Sequence, residues 1–492
     1  MKYTLKKESL EFTQISKHKL FIDNEWTAAN GDGHINVTNP ATEEVLSSVG
    51  LATEADVDKA VRSARVALKQ WRKISPMDKE RLLNKLADKM EAHLEVLAEI
   101  LTLENGKLIA QAKSEIKGAV NTFRYYAGWA TKIEGETLDV SLRQAPGKKN
   151  FAFTKREPVG VVAAIVPWNF PISIAVWKLA PALAAGCAVV LKPSEVTPLS
   201  TLYLAKLIGE VDFPKGLVNV ITGDGKTGAA LTTHSGISKI TFTGSTEVGK
   251  LIGKAAMDSL TDVSLELGGK SPGIVFDDAD MASAAKGLAA GIFRNGGQVC
   301  VAGSRLYIHK KSFDNLLADI CAEGEKMKIS HGFDPEADLG PLVSKAHLTR
   351  VTKYIETGKE ESQICTGGHR PDGKGFYVAP TVFKSEDNNK VLISEEVFGP
   401  VLVAVPFTDM DDALTMANNS NYGLSSTIWT KDISRALQCI DGMDAGWVFV
   451  NGPARSDPNF PMGGNKQSGI GRELGKVGLY NYTKLKSVNI IY

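Results

Sequence analysis

Residues 159–269 hold five short apolar runs, VGVVAAIVP, CAVVLKPS, LVNVIT, KITFTGS and DVSLELGG, with helix-length segments such as ISIAVWKLAPALAAG and TPLSTLYLAKLIGE between them. The runs recur every ~20–30 residues, the spacing of a strand–helix–strand unit. Their hydrophobicity is continuous rather than alternating. A strand needs that when both its faces are buried, as in a parallel sheet covered by helices on each side. After residue 270 the series starts again with SPGIVF, RLYIH, PVLVAVPF, SSTIWT and GWVFVN. The chain is expected to be α/β, with two doubly wound parallel-sheet domains joined near Gly268-Gly269. The intervening stretch 138–157 reads as a small β-hairpin projecting from the first domain, and the last run, KSVNIIY, as a strand able to pair with such an edge.

The front of the chain reads differently. Residues 20–50 alternate apolar runs with turn residues, as in a hairpin. Thr53 and Asp56 form a capping box that opens a periodic helix. A second long helix is expected through residues 78–106, closing on the C-cap pair Asn105-Gly106. At 492 residues and 43% hydrophobic, the chain can bury two or three such domains. Its formal net charge of +1 offers no electrostatic case for nucleic acid or an anionic membrane. The longest apolar runs fall short of a membrane span, and the polar N-terminus lacks the core of a signal peptide. A cytoplasmic location is expected. The five cysteines are scattered, with no CxxC spacing and no metal-ligand cluster, so no metal is expected.

Two glycine turns look like phosphate loops. GDGKTG (223–228) matches G-x-G-x-x-G literally, but Val220 stands where a P-loop needs glycine. TFTGSTEVG (241–249) is the better candidate: a strand ends at Thr243-Gly244-Ser245, a helix starts at Thr246, and Ser245 can donate to a phosphate at that helix N-terminus. A plain capped turn fits the same residues. Cys300 stands out as well. It follows Asn295-Gly296-Gly297 at the end of an apolar helix-like run, where the backbone can bend and expose a thiol.

Seven motifs then occur in order: PWNFP (167–171), LKPSEVTPLS (191–200), FTGSTEVG (242–249), LELGGKSP (265–272), GGQVC (296–300), EEVFGPV (395–401) and PMGGNKQSGIGRELG (461–475). Together they closely resemble the NAD(P)-dependent aldehyde dehydrogenase superfamily, from about LFIDNEW to the C-terminus. The resemblance implies an NAD-binding domain over 1–137 and 158–267, a catalytic domain over 268–475, and an oligomerisation element formed by 138–157 and 476–492. It implies that Cys300 is the nucleophile, that Asn169 and the Cys300 backbone N–H hold the tetrahedral oxyanion, and that Glu266 activates water to hydrolyse the thioester. Relatives that hand the thioester to coenzyme A lack this carboxylate. For the cofactor it implies Lys192 and Glu195 at the adenosine ribose, Glu396 and Phe398 at the nicotinamide ribose, and Pro167, Trp168, Gly244, Ser245, Val248 and Leu267 around the remainder, with Gly225 bordering the adenine. Glu195 would repel a 2′-phosphate, so NAD is expected over NADP. Met462 replaces the phenylalanine common in relatives.

The substrate is expected to be a small apolar or aromatic aldehyde, with Phe170, Trp177 and Phe293 as walls; FRYYAGWATKIEGE (123–136) is similar to phenylacetaldehyde dehydrogenases. Arg294, six residues before Cys300, coincides with an arginine of succinate-semialdehyde dehydrogenases and supplies the alternative, although Trp177 stands where their second arginine would be. A thiol hydrolase and a catalytically silent structural protein are the rival readings. By resemblance the chain assembles as a homodimer or homotetramer.

Overall fold

The five apolar runs after residue 158 become five adjacent parallel strands in the computed structural model, which describes residues 3–492. Their spatial order is Val218–Val220, Ala188–Lys192, Val161–Ile165, Lys239–Thr243, Asp262–Glu266. The chain runs outward in one direction from Val161–Ile165, then returns to continue on its other side. That reversal makes the carboxyl ends of Val161–Ile165 and Lys239–Thr243 diverge and leaves a crevice between them. An antiparallel hairpin, Leu20–Ile22 with Glu25–Thr27, closes one edge of this eight-stranded sheet.

Helices cover the sheet because their apolar faces have nowhere else to go. Helix Glu54–Trp71 starts on the Thr53–Asp56 capping box and buries Val57, Ala60, Val61, Ala64, Ala67 and Trp71, a stripe at helical spacing. Helix Pro171–Ala185 is buried nearly all round. The long helix expected over 78–106 is two helices, Pro76–Ala92 and Leu94–Asn105, broken at His93. The first is amphipathic and the second is buried almost throughout, so one straight rod cannot satisfy both. His93 Nδ1 is fixed at the corner by the Tyr203 hydroxyl at 2.8 Å. The stop at Gly106 is as expected: its φ is 87°, and a Cβ there would lie 2.7 Å from Pro341 and 2.8 Å from Pro40.

The second sheet has seven strands in the order Gln363–Thr366, Thr381–Lys384, Val401–Phe407, Arg305–His309, Pro272–Val275, Ser425–Trp429, Trp447–Val450. All neighbours are parallel except the edge strand Gln363–Thr366. Gln363–Thr366 and Thr381–Lys384 have no counterpart among the expected strands. Each is only four residues long and carries polar residues within it.

The chain crosses from the first sheet to the second at Gly268-Gly269, between strands Asp262–Glu266 and Pro272–Val275. Gly469–Ile470, inside the stretch assigned to the catalytic domain, pairs with Leu265 and Glu266 and forms the last strand of the first sheet. Strand Thr483–Ile491 runs antiparallel to Asn150–Pro158 over nine register pairs, with Thr137–Leu138 on the other side, so the 138–157 hairpin and the chain end form one three-stranded sheet. Among the described residues no helix is long and apolar enough to cross a membrane.

Candidate functional site

Cys300 sits where the loop after helix Met281–Phe293 meets the carboxyl edge of the first sheet. Asn295, Gly296 and Gly297 take φ values of 53°, 65° and 70°, three left-handed residues in succession. A Cβ at Gly297 would lie 2.0 Å from the Gly399 carbonyl oxygen, so only glycine fits this bend. Gln298 locks the loop: its Nε2 donates to the Asn295 carbonyl at 2.8 Å, and its Oε1 accepts from the Val343 N–H at 2.9 Å. The thiol of Cys300 is pushed up to about 12, first by burial and then by the nearby carboxylates of Glu396 and Glu266. In this state it is a protonated thiol.

Asn169 is buried just beyond strand Val161–Ile165, and its side-chain Nδ2 donates to the Gln298 carbonyl at 3.0 Å. Its own carbonyl accepts from Lys107 Nζ at 2.8 Å and Asn295 Nδ2 at 3.3 Å. Lys107 in turn pairs with Glu115, whose Oε1 accepts the N–H groups of Ile172 and Ser173 at the start of helix Pro171–Ala185. Lys107 and Glu115 thus hold the asparagine segment from below. Sequence reasoning missed both, as well as Gln298; the lysine directly after the Asn105-Gly106 stop was the available signal.

Glu266 ends strand Asp262–Glu266, in register with Thr243. It is 4% exposed, and among the described residues neither carboxyl oxygen has a hydrogen-bond partner. Burial first, then the charge of Glu473, holds it well above the ordinary carboxyl range, with Lys178 and Arg472 opposing. Lys178 and Glu473 form a fully buried ion pair, and Lys178 Nζ also donates to Thr243 Oγ1 at 2.8 Å. Gly463 makes room for the carboxyl group: a Cβ there would lie 2.9 Å from Glu266 Oε1. The Lys178–Glu473 pair was also missed, although a lysine inside the apolar helix segment ISIAVWKLA marked it.

The crevice left by the strand reversal opens as a cavity of about 220 Å³. Pro167, Trp168, Asn169, Gly244, Ser245, Leu267, Gly268, Cys300, Glu396 and Phe398 all line it. Ser245 caps helix Thr246–Asp258 by accepting from the Val248 N–H at 3.3 Å. Its hydroxyl proton, and the first N–H groups of that helix, remain free for an anion. The literal fingerprint GDGKTG has no such freedom, because Asp224 caps helix Gly225–Thr232 with its own carboxylate. Glu396 Oε1 accepts the Gly269 N–H at 2.9 Å, and burial pushes Glu396 up to about 7. A Cβ at Gly268 would lie 2.4 Å from Glu396 Oε2. Phe398 stands edge-on to Trp168 at 5.3 Å.

His347 and Arg350, absent from the expected set, line the same cavity. His347 Nε2 donates to the Phe398 carbonyl at 2.8 Å, and Arg350 donates to the Glu396 carbonyl at 2.8 Å. Burial pushes His347 down to about 4, so it is a neutral, weak base and a poor partner for the thiol.

Lys192, Glu195, Gly225 and Val248 lie outside the cavity lining. Lys192 Nζ is 3.8 Å from Glu195, and its aliphatic stem lies against Gly228 of helix Gly225–Thr232. Val248 turns its side chain to solvent, 42% exposed. Lys192 is itself buried and Glu195 half-buried beside the crevice, whereas Gly225 and Val248 are exposed.

On the other side of Cys300, Trp177, Val301 and Phe449 pack with Leu424, Trp447, Met462 and Leu474. Met462 fills its place in this cluster and is buried. Trp447 stacks on Phe460 at 5.4 Å, and neither these two nor Phe449 were expected. Phe170 stands at the start of helix Pro171–Ala185 with Arg294 5.8 Å above its ring. Phe293 contradicts its assignment. It is 1% exposed and packs into the core between helices Met281–Phe293 and Phe313–Glu325, because residues 285, 289 and 293 share the buried face of the first of these. Arg294, one residue on, leaves that face and is exposed. It lines a separate cavity of about 120 Å³ with Arg455, Val299 and Val301.

The profile of the aldehyde dehydrogenase family matches residues 26–488. Phenylacetaldehyde dehydrogenase of Pseudomonas fluorescens is 48% identical over 482 residues, covering 96% of each chain. The structure of an aldehyde dehydrogenase from Bacillus cereus in complex with NAD+ superposes with a TM-score of 0.97 at 42% identity, over 100% of this chain and 99% of that one. The NAD+ complex of betaine aldehyde dehydrogenase from Staphylococcus aureus gives 0.95 at 36% identity, over 98% and 96% of the two chains.

Proposed function

The chain belongs to the aldehyde dehydrogenase family, and from that premise we propose that it oxidises an apolar or aromatic aldehyde to the carboxylic acid with NAD+. The observation that carries this reading is that Cys300 and Asn169 line one cavity with Gly244, Ser245, Glu396 and Phe398, while Glu266 ends buried and unpartnered beside it. A thiol, oxyanion donors, a cofactor cradle and a base then serve one carbon atom.

Cys300 passes its proton to water in the cavity, and its sulfur adds to the aldehyde carbon. The alkoxide so formed accepts from the Asn169 amide and the Cys300 backbone N–H, each donor worth on the order of 3–4 kcal/mol in the transition state. Bound in the crevice, NAD+ would supply the hydride acceptor for the tetrahedral carbon, and Cys300 would then carry the acyl group as a thioester. Glu266 takes a proton from water, which attacks the thioester and releases the acid; its raised pKa suits a base working near neutrality. Ser245 and the N-terminus of helix Thr246–Asp258 would hold the pyrophosphate, Glu396 and Phe398 the nicotinamide ribose, and Lys192 and Glu195 the adenosine ribose. Gly244 and Gly268 line the crevice, and the missing Cβ at Gly268 leaves room for the Glu396 carboxylate. The Glu195 carboxylate favours NAD+ over NADP+ by repelling a 2′-phosphate. A reducing compartment such as the cytoplasm suits a chain whose five cysteines are all free.

The aromatic wall of Trp177 and Phe449 beside the thiol, and the phenylacetaldehyde dehydrogenase relative, support the apolar substrate. A second reading, an aldehyde that also carries a carboxylate, has its own support. Arg294 and Arg455 line one cavity next to Val299 and Val301, so a second arginine comes from a different part of the chain than the position held by Trp177. NADH formation from phenylacetaldehyde and from succinate semialdehyde, measured with wild type, Cys300→Ala and Arg294→Ala, tests both. We expect the higher kcat/KM for phenylacetaldehyde and no turnover by Cys300→Ala. A semialdehyde preference that disappears in Arg294→Ala selects the second reading, and an active Cys300→Ala overturns the mechanism.

A further inference from the structure

A pair of thiols lies away from the crossing at Gly268-Gly269, at the second sheet's edge strand Gln363–Thr366. That strand carries a β-bulge: Ile364 pairs with Phe383 and Thr366 with Val382, leaving Cys365 as the extra residue between them. A bulge re-aims its side chain away from strict alternation. Next to it, Thr366 Oγ1 donates to Glu325 Oε1 at 2.7 Å, which ties the strand to helix Phe313–Glu325. Cys321 lies four residues before Glu325 on that helix and so shares its face. The bulge and the Thr366–Glu325 bond thereby bring Cys365 and Cys321 to one junction, with Cys365 exposed, Cys321 half-buried, and the Cys365 thiol donating to the Gln363 carbonyl at 3.9 Å.

We infer that Cys321 and Cys365 form a reversible intramolecular disulfide, a redox-modification site that reacts with hydroperoxides before the thiol of Cys300 does. The two members are chemically unequal. Cys365 is exposed and is brought down to about 7, first by the hydrogen bond from Cys321 and further by the charge of Lys384, with burial opposing. Cys321 is held up by the same bond, by burial and by Cys365 and Glu325, so it keeps its proton. Cys365, the exposed and more acidic of the two, is thus the attacking thiol and the less exposed Cys321 the resolving one. Cys300 is held up to about 12 within its cavity, and Cys187 and Cys439 are buried.

The chemistry balances with hydrogen peroxide as the oxidant. The Cys365 thiolate attacks one peroxide oxygen, the O–O bond breaks, and a sulfenic acid and hydroxide result. The Cys321 sulfur then attacks the Cys365 sulfur, an S–S bond replaces the S–O bond, and the departing hydroxide leaves as water with the thiol proton. Two thiols and one peroxide give one disulfide and two waters, and a dithiol reverses the change.

The test treats the full chain with one equivalent of hydrogen peroxide, blocks remaining thiols with iodoacetamide, and reads the digest by mass spectrometry beside NADH formation. A Cys321–Cys365 cross-linked peptide is expected, about 2 Da lighter than its two reduced halves and split by dithiothreitol. In Cys321→Ser the Cys365 sulfenic acid should persist long enough for dimedone to trap it. Carbamidomethylated Cys365 after peroxide, over-oxidation of Cys365 to the sulfinic acid in wild type, or loss of activity through Cys300 while both partners remain thiols would each overturn the inference.

Discussion

Glu266 carries opposite demands on stability and on chemistry. Its native pKa lies above the value in the unfolded chain, so between the two the native state holds a proton that the unfolded state has released. Stability therefore falls as pH rises from the ordinary carboxyl range through the raised value, by ~1.4 kcal/mol for each unit of difference. Glu266→Gln removes that dependence. Its melting temperature should match wild type near the ordinary carboxyl pKa and exceed it increasingly at higher pH; melting curves that stay parallel would refute this. The same variant should lose acid release by ~10²-fold or more, seen as thioester accumulating on Cys300 in single-turnover mass spectra. Asn169→Ala removes one oxyanion donor and should lower kcat by ~10²–10³-fold while the fold survives, checked by steady-state rates beside circular dichroism. Cys300, held up to about 12, should alkylate slowly with iodoacetamide at neutral pH. Added NAD+ should accelerate that alkylation if the positive ring lowers the thiol; an unchanged rate would place the activating charge elsewhere.

Helices Met281–Phe293 and Pro171–Ala185 bring the reacting groups to the site, and each has a residue whose contribution is architectural. Phe293 fills the core between Met281–Phe293 and its neighbour Phe313–Glu325. Phe293→Ala should cost about 3–5 kcal/mol in denaturant unfolding and leave the ranking of aldehydes unchanged. A shifted ranking would return Phe293 to the substrate wall. Lys178, on Pro171–Ala185, is different because its partner Glu473 comes from the far end of the chain. Lys178→Met leaves Glu473 buried without a counter-charge, and a loss of about 3–5 kcal/mol is expected. The broken rod at His93 shows the limit of periodicity. Both halves have helical pattern, and only the change from a half-buried to a fully buried environment places the corner.

Association belongs to the whole molecule. Strand Thr483–Ile491 lies at the edge of its three-stranded sheet with Leu485, Ile490 and Ile491 exposed. Leu251 and Met257 on helix Thr246–Asp258, and Ile433 and Leu437 on helix Ile433–Gly442, are likewise more than half exposed. Apolar surface and a free strand edge on this pattern mark association, and we propose a homodimer or homotetramer built through 138–157 and 476–492. Sedimentation should show a species at least twice 52.9 kDa, and deletion of residues 483–492 should reduce its size. A wild-type monomer at micromolar concentration would sink the proposal.

Continuous hydrophobicity determined the parallel strands without help, since a strand buried on both faces has no polar alternation to offer. The left-handed bend before Cys300 was equally legible, because glycines at such spacing leave few other uses. The seven ordered motifs located Asn169, Glu266, Glu396 and Phe398, all of which come to the crevice or its edge. Tertiary structure alone decided what depends on distance through space. It joined Lys107 to Glu115 beneath Asn169, Lys178 to Glu473 beside Glu266, and Arg294 to Arg455 across one cavity. It returned Gly469–Ile470 to the first sheet and turned Phe293 away from the substrate side. Local pattern records which face of an element is buried, but the partner on that face comes from a remote stretch, and only packing brings the two together.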